Sequence, residues 1–312
     1  MMSPLISILI PAYQAEKTIS RCLKSVLGQT STNYEVIVVD DGSTDSTLSI
    51  CQTFMDGKRF RVYSQQNMGV AATRQRLLEL AQGEYIQFVD ADDWVEPNMM
   101  ETLCGLLQQE TLVDLVILDY ILHTNSRVVY KIQKPSSLTT AGLVRDISSP
   151  RMLGVLWNKL IRKEIFLGLK VPNVKYCEDW CVCVSLFQNA KEIKYCNEAF
   201  YHYDNVITEN SLTRNINKET FKSRIQYIEY LHSIGLNNSY PKEYDSQVAN
   251  IAYAALVHGI FSNEEFFQRF GHVSFLCNYN TTYKKLILLL TLFLPLSVVR
   301  KIDLNIRKLL GR

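Results

Sequence analysis

Val36-Ile37-Val38-Val39-Asp40-Asp41-Gly42-Ser43-Thr44-Asp45 decides the fold: four consecutive branched apolar residues run straight into a cluster of acids and turn formers. A short run that is apolar at every position, and not only at every second one, reads as a strand buried on both faces, the habit of parallel sheets. The same construction returns at Tyr85-Ile86-Gln87-Phe88-Val89-Asp90-Ala91-Asp92-Asp93, with Asp90 placed 49 residues after Asp41. Open α/β sheets bind ligands outside the carboxyl ends of their strands. Both acid clusters are therefore expected to face a crevice. Carboxylates converging there repel one another and resist desolvation, which favours completion by a cation or a donor-rich ligand, as in a metal-assisted nucleotide site.

Working outward, Leu5-Ile6-Ser7-Ile8-Leu9-Ile10 reads as a strand stopped by Pro11, and Ile19, Cys22, Leu23, Val26 and Leu27 follow at helical spacing. A helix is expected from about Thr44 to Met55, capped by Ser43 or Thr44, then a strand near Arg61 to Ser64 and a helix from Gly69 to Leu80. This alternation predicts an α/β domain with a mostly parallel, doubly wound, Rossmann-like sheet. Pro97 opens a further helix to about Gln109, and Leu112 to Tyr120 reads as a strand. Beyond Tyr120 the alternation weakens. Residues 124–152 are polar and turn-rich, consistent with an insertion or a second lobe, and helical character returns at 152–166, 179–189 and 218–234.

With 312 residues and 47% hydrophobic content the chain is long enough for one large or two smaller globular domains. The net charge of +2 gives no argument for nucleic-acid binding. From Lys284 onward, however, the tail carries +6, so the remainder is near −4. The eight cysteines contain no CxxC pair, and Cys177, Cys181 and Cys183 do not have zinc-site spacing, so reduced thiols of a cytosolic protein are expected. The first eleven residues lack the basic region of a signal peptide. Leu286 to Val299 is uncharged, interrupted by Pro295 and flanked by basic residues. Fourteen helical residues reach only about 21 Å, too short to span a bilayer. An interfacial anchor on an anionic leaflet and an ordinary buried helix both remain open readings.

Five motifs in order resemble a known family. Ser7 to Tyr13, Val38 to Asp45, Asn67-x-Gly69 with Arg74, Asp90 to Asp93, and Glu178-Asp179-Trp180 together are similar to the signature of the family 2 glycosyltransferases, inverting enzymes of GT-A fold; the resemblance covers residues 5–213. It implies that Pro11, Ala12, Tyr13 and Asp41 hold the uracil and ribose of a UDP-sugar. A carboxylate suits the imide N–H of uracil. Asn67, Gly69 and Arg74 would line the nucleotide-sugar pocket, with Arg74 paired either to a phosphate or to the aspartates. Asp90-Ala91-Asp92 matches the DxD motif, which implies Asp90 on the ribose and Asp92 on a divalent cation, Mg2+ or Mn2+; a bend after the strand is needed for both to reach one ligand. The competing reading of this stretch is helix capping, to which Asp93 and Pro97 could contribute, and capping fits Asp93 better than Asp92. Glu178-Asp179 falls on the ED motif, implying Asp179 as the catalytic base beside Glu178.

Trp157-Asn158-Lys159-Leu160 resembles an acceptor-side segment of the family, where Trp157 either stacks on a sugar or fills core. Tyr201-His202-Tyr203 and Ser211-Leu212-Thr213 resemble its closing loop. No arginine lies between those two points, so diphosphate contact falls to His202, Ser211 or Arg214. The expected organisation is a GT-A domain over 1–215 (nucleotide-sugar binding in 1–120, acceptor side in 121–215), a helical extension over 216–281 and a membrane-associating tail over 282–312. The implied reaction moves a hexosyl or N-acetylhexosaminyl unit from a UDP-sugar to a hydroxyl, with a polyprenyl-linked acceptor at the inner face of the cell membrane as in surface-polysaccharide assembly. A non-catalytic nucleotide-sugar binding subunit and a metal-dependent nucleotidyltransferase are the alternatives.

Overall fold

The computed structural model describes residues 4–55, 59–109, 112–169, 177–206, 217–271 and 287–309. The chain divides into two compact units: residues 1–147 with 151–209, and residues 148–150 with 210–312.

The first unit is built on the apolar runs read above. Strands β1 (Ile6–Ala12), β2 (Tyr34–Asp40), β3 (Phe60–Ser64) and β4 (Tyr85–Phe88) lie side by side, all parallel, in the order β3-β2-β1-β4. β2 and β4 are buried at every residue, which explains their unbroken apolar runs. The helices α1 (Ile19–Leu27), α2 (Thr47–Thr53) and α3 (Val70–Leu80) connect them. Ile19, Cys22, Leu23 and Val26 of α1 are buried, the i, i+3, i+4, i+7 stripe expected of a helix lying on a sheet. α2 begins at Thr47, later than expected: Asp45 takes the Thr47 N–H at 3.0 Å and its hydroxyl at 2.6 Å, so residues 43–46 are spent on the turn.

Beyond β4 the sheet becomes mixed. Its nine strands include β5 (Trp94–Val95), β6 (Leu115–His123), β7 (Val128–Lys131), β8 (Lys159–Arg162) and β9 (Ile193–Asp204), in the continuing order β4-β8-β6-β9-β5, with β7 hairpinned onto β6. β8 runs antiparallel to both β4 and β6, whereas β6 and β9 are parallel. The helix expected over 152–166 is not formed. Leu156 and Leu160 have helical spacing, but Lys159, Leu160 and Ile161 are buried on both faces of β8, and short apolar runs do not distinguish a central strand from a helix. Only a 3-10 turn, Lys163–Phe166, follows. The helices α4 (Met99–Gln109), α5 (Thr140–Ile147) and α6 (Glu178–Asn189) complete this unit.

The second unit is helical: α7 (Lys218–Ser233), α8 (Leu236–Ser239), α9 (Pro241–Val257), α10 (Asn263–Phe270) and α11 (Leu296–Leu309), with a helical turn at 287–290. α9 is its hub, packing against the other four helices. Ser262 and Glu265 form a capping box at the start of α10. The apolar tail segment is divided. Ile287, Leu288, Leu296 and Val299 are buried, while Leu292, Phe293 (80% exposed) and Val298 face outward. Among the described residues no helix is long and apolar enough to cross a membrane.

Candidate active site

Because β1 to β4 are parallel, the loops after them share one edge of the sheet. β1 lies between β2 and β4, so the strand order reverses there and opens a crevice at the carboxyl ends. On one side Ala12 accepts the Asp41 N–H at 2.8 Å, and the Tyr13 ring stands 52% exposed beside it. The Asp41 side chain is buried and reaches into the following loop: Oδ1 accepts from Gln65 Nε2 (2.7 Å) and the Met68 N–H (2.9 Å), and Oδ2 from the Gly69 N–H (2.8 Å). Asp41 therefore fastens the Asn67-x-Gly69 loop onto the end of β2. Gly42 makes this approach possible: its φ is +73°, and a Cβ there would stand 2.8 Å from the Asn67 nitrogen.

On the other side of β1, residues 90–93 form the required bend, closed by the Asp93 N–H donating to the Asp90 carbonyl at 3.1 Å. Arg74, on α3 and buried, reaches the same point. Its Nη1 lies 2.5 Å from Asp179 Oδ1 and 2.8 Å from Glu178 Oε1, and its Nη2 lies 3.5 Å from Asp90 Oδ1. Three candidate carboxylates from two distant parts of the sequence thus meet on the guanidinium of Arg74, a fourth candidate. Asp179 is held on its other oxygen by the Leu156 N–H at 3.2 Å.

Charge in this cluster is unbalanced, with one guanidinium facing Asp90, Glu178 and Asp179 while Asp92 and Asp93 lie close by. Desolvation opposes the charge on Arg74, but Asp179, Asp90 and Glu178 outweigh it and raise its proton affinity. Burial pushes the Asp90 carboxyl up to about 7; Arg74 pulls it down, and Asp179, Asp92 and Glu178 push it further up. Burial and then Asp179 raise Glu178, and burial also raises Asp92. Asp92 is nonetheless exposed at the mouth, and none of the described residues donates a hydrogen bond to its carboxylate.

Some residues have other duties. Trp157 is core: it is 3% exposed and stacks on Tyr201 at 4.4 Å between centroids. His202 points away from Asp90, with Nε2 2.7 Å from Glu96 and Nδ1 2.9 Å from His123, because its neighbour Tyr201 takes the face toward the aspartates. Ser211 and Arg214 lie outside the described residues. Asp93 does not cap a helix; the next residues are β5, and α4 starts at Met99. Asp93 is instead fully buried and accepts from the Tyr201 hydroxyl (2.6 Å) and the Asp204 N–H (2.7 Å), while Tyr201 receives the Asp90 N–H at 3.0 Å. Arg21, unremarked in sequence, donates to the Asp92 carbonyl and to Asp204, both at 2.6 Å. These contacts fix the 90–93 bend from beneath. Asp93 carried a signal as the third acid of its run and Tyr201 one only as part of the closing-loop resemblance, whereas Arg21 carried none.

The family model of glycosyl transferase family 2 matches residues 7–167. The chain is 31% identical over 261 residues to the putative glycosyltransferase EpsH of Bacillus subtilis, covering 79% of this chain and 74% of that protein. It is 29% identical over 234 residues to the putative teichuronic acid biosynthesis glycosyltransferase TuaG of the same bacterium, covering 73% and 90%. In fold it is similar to S. aureus TarS, solved in complex with UDP-GlcNAc, with a TM-score of 0.59 at 20% identity over 80% of this chain and 81% of that one. Family model, relatives and fold together define the class, a glycosyltransferase of GT-A architecture. The chain belongs to glycosyl transferase family 2.

Enzymes of this family and fold generally use a divalent cation. Among the described residues no group of three His, Cys, Asp or Glu side chains encloses a metal position. The donor set fits a hard cation in another way: an exposed, uncommitted carboxylate at Asp92 beside an excess of negative charge suits an ion that keeps waters and takes substrate phosphates as its remaining ligands.

Proposed function

We propose that this glycosyltransferase moves a hexosyl or N-acetylhexosaminyl unit from a UDP-sugar to an acceptor hydroxyl with inversion at the anomeric carbon. The observation that carries the reading is the meeting of Asp90, Glu178 and Asp179 on Arg74, beside Asp92 and on the same sheet edge as Asp41. Pro11, Ala12, Tyr13 and the loop that Asp41 fastens form the uridine side, Asn67 and Gly69 included. Asp90 and Ala91 lie where the ribose and diphosphate would pass. Asp92 would hold Mg2+ or Mn2+, which when bound supplies charge stabilisation to the leaving diphosphate. Asp179 accepts the proton of the attacking hydroxyl, and Arg74 and the Leu156 N–H hold its carboxylate in place.

Calorimetric titration with UDP, GDP and dTDP, each with Mn2+ and with EDTA, tests the donor site. UDP is expected to bind in a metal-dependent manner. Asp92→Ala should weaken it by about tenfold or more, the worth of one charge-assisted contact of roughly 1.5–3 kcal/mol. Folded protein that binds none of the three would overturn the reading.

A polyprenyl-linked acceptor in surface-polysaccharide assembly, met at the inner face of the membrane, is supported by the kinship to a protein named for teichuronic acid biosynthesis and by the exposed tip Leu292-Phe293 ahead of the basic α11. Burying each such side chain contributes roughly 1.5–3 kcal/mol. Joint Leu292→Ser and Phe293→Ser substitution should therefore cut cosedimentation with phosphatidylglycerol vesicles by roughly two orders of magnitude. Unchanged partition would refute membrane docking through this tip.

A further inference from the structure

We infer that Lys159 is a positioning residue for the proton-accepting carboxylate: its buried ammonium shapes the 153–156 loop so that the Leu156 N–H is presented to Asp179. The inference rests on the reading of Asp179 as the base. Lys159 is 0% exposed on the central strand β8, and its Nζ donates to the Val155 carbonyl (2.7 Å), the Asn158 side-chain oxygen (2.8 Å) and the Leu153 carbonyl (3.2 Å). All three acceptors are neutral. Among the described residues no carboxylate lies in ion-pair contact with this ammonium. Burying a charge on neutral partners alone is an expensive way to fill space, and an apolar side chain of similar length would pack there at less desolvation penalty. What the ammonium adds is directional: it takes two carbonyls of one loop, and the second belongs to the Val155–Leu156 peptide, whose N–H on the opposite side then faces Asp179 Oδ2 at 3.2 Å.

The loop is held from its other sides as well. The Leu153 N–H donates to Gln133 Oε1 at 2.8 Å, and Gly154 packs against the Trp180 indole, where a Cβ would stand 2.5 Å from the ring. Trp180 follows Asp179 directly in α6, so loop and base are packed as one body. Asp179 is thereby gripped on both oxygens, by Arg74 on one and Leu156 on the other. A base fixed in this way keeps its remaining lone pairs at a constant bearing toward the acceptor hydroxyl. Burial lowers the proton affinity of Lys159, and Cys183 and then Asp179 raise it again, which places lysine and carboxylate within electrostatic reach.

The test is Lys159→Met, with Lys159→Arg as the conservative variant, read by UDP release from UDP-GlcNAc, UDP-glucose and UDP-galactose with water as acceptor, alongside UDP affinity and thermal unfolding. K159M is expected to remain folded and to bind UDP with Mn2+ within about twofold of the parent, since Lys159 touches no part of the donor side. Its kcat should fall by about tenfold or more at nearly unchanged KM, with the acid limb of the pH–rate profile displaced, and K159R should recover part of the loss. Equal kcat and an unmoved acid limb in folded K159M would overturn the inference while leaving the base assignment intact. Undiminished turnover in Asp179→Asn would instead remove the base assignment and the inference with it. Should K159M fail to fold, Lys159→Gln decides: parental kcat and pH profile in folded K159Q mean that the lysine serves stability alone.

Discussion

Asp179→Asn is expected to reduce sugar transfer by about 10²- to 10⁴-fold, the range that a positioned general base contributes, with metal-dependent UDP binding retained. The substitution removes the proton acceptor while leaving the shape almost unchanged. It also has a structural consequence. Asp179 pairs its charge with Arg74 through one oxygen and accepts the Leu156 N–H on the other, and an asparagine can keep the second contact but not the charge. The buried guanidinium loses one of its counter-charges, so a stability loss of about 1–3 kcal/mol should accompany the kinetic effect. Calorimetry with UDP separates the two: a variant that binds UDP as the parent does is folded around its donor site. Turnover within about tenfold of the parent would show that Asp179 is not the base. Glu178 is the natural comparison, since it shares the same guanidinium and precedes Asp179 on α6.

The parallel half of the sheet was legible in the sequence because parallel strands buried on both faces leave continuous apolar runs, and because the acids at their ends have no place in a core. Asp41 and Asp90 declared themselves in this way. What the sequence did not disclose depends on contacts between segments far apart along the chain. Nothing near Arg74 tells that it will meet Glu178, 104 residues later. Asp93 resembled a helix cap because local rules see only its neighbours, while its partners Tyr201 and Asp204 lie more than 100 residues away. The apolar spacing around Leu156 and Leu160 suited a helix, and only insertion between β4 and β6 makes that segment a strand. His202 shows the same limit at a finer scale, because strand alternation decides which of the adjacent rings Tyr201 and His202 faces the site.

Arg74→Met is expected to be the most destabilising single change in the first unit. The guanidinium is buried and is the charge partner of Asp90, Glu178 and Asp179 together, and removing one member of a buried pair costs about 3–5 kcal/mol because the partner charges stay behind. For a chain of this size that corresponds to a fall in Tm of roughly 10 °C. The pH dependence distinguishes this cause from a simple packing defect. Asp90 is already raised to about 7, with Arg74 pulling it down, and Glu178 is raised in spite of the same guanidinium. Without Arg74 both move further up. A carboxyl whose folded pKa lies above its unfolded value binds more protons in the folded state, so stability is lost as pH rises from the unfolded value near 4 through the folded value. The Tm deficit of R74M relative to the parent should therefore grow as the pH rises above about 7, where Asp90 ionises in the parent but stays protonated in the variant, and fall to a smaller, level value below it. Thermal unfolding of both proteins between pH 6 and 9, in EDTA, measures this directly. A deficit that does not change with pH would assign Arg74 to packing, and no deficit at all would mean that the carboxylates are neutralised by something other than the guanidinium they surround.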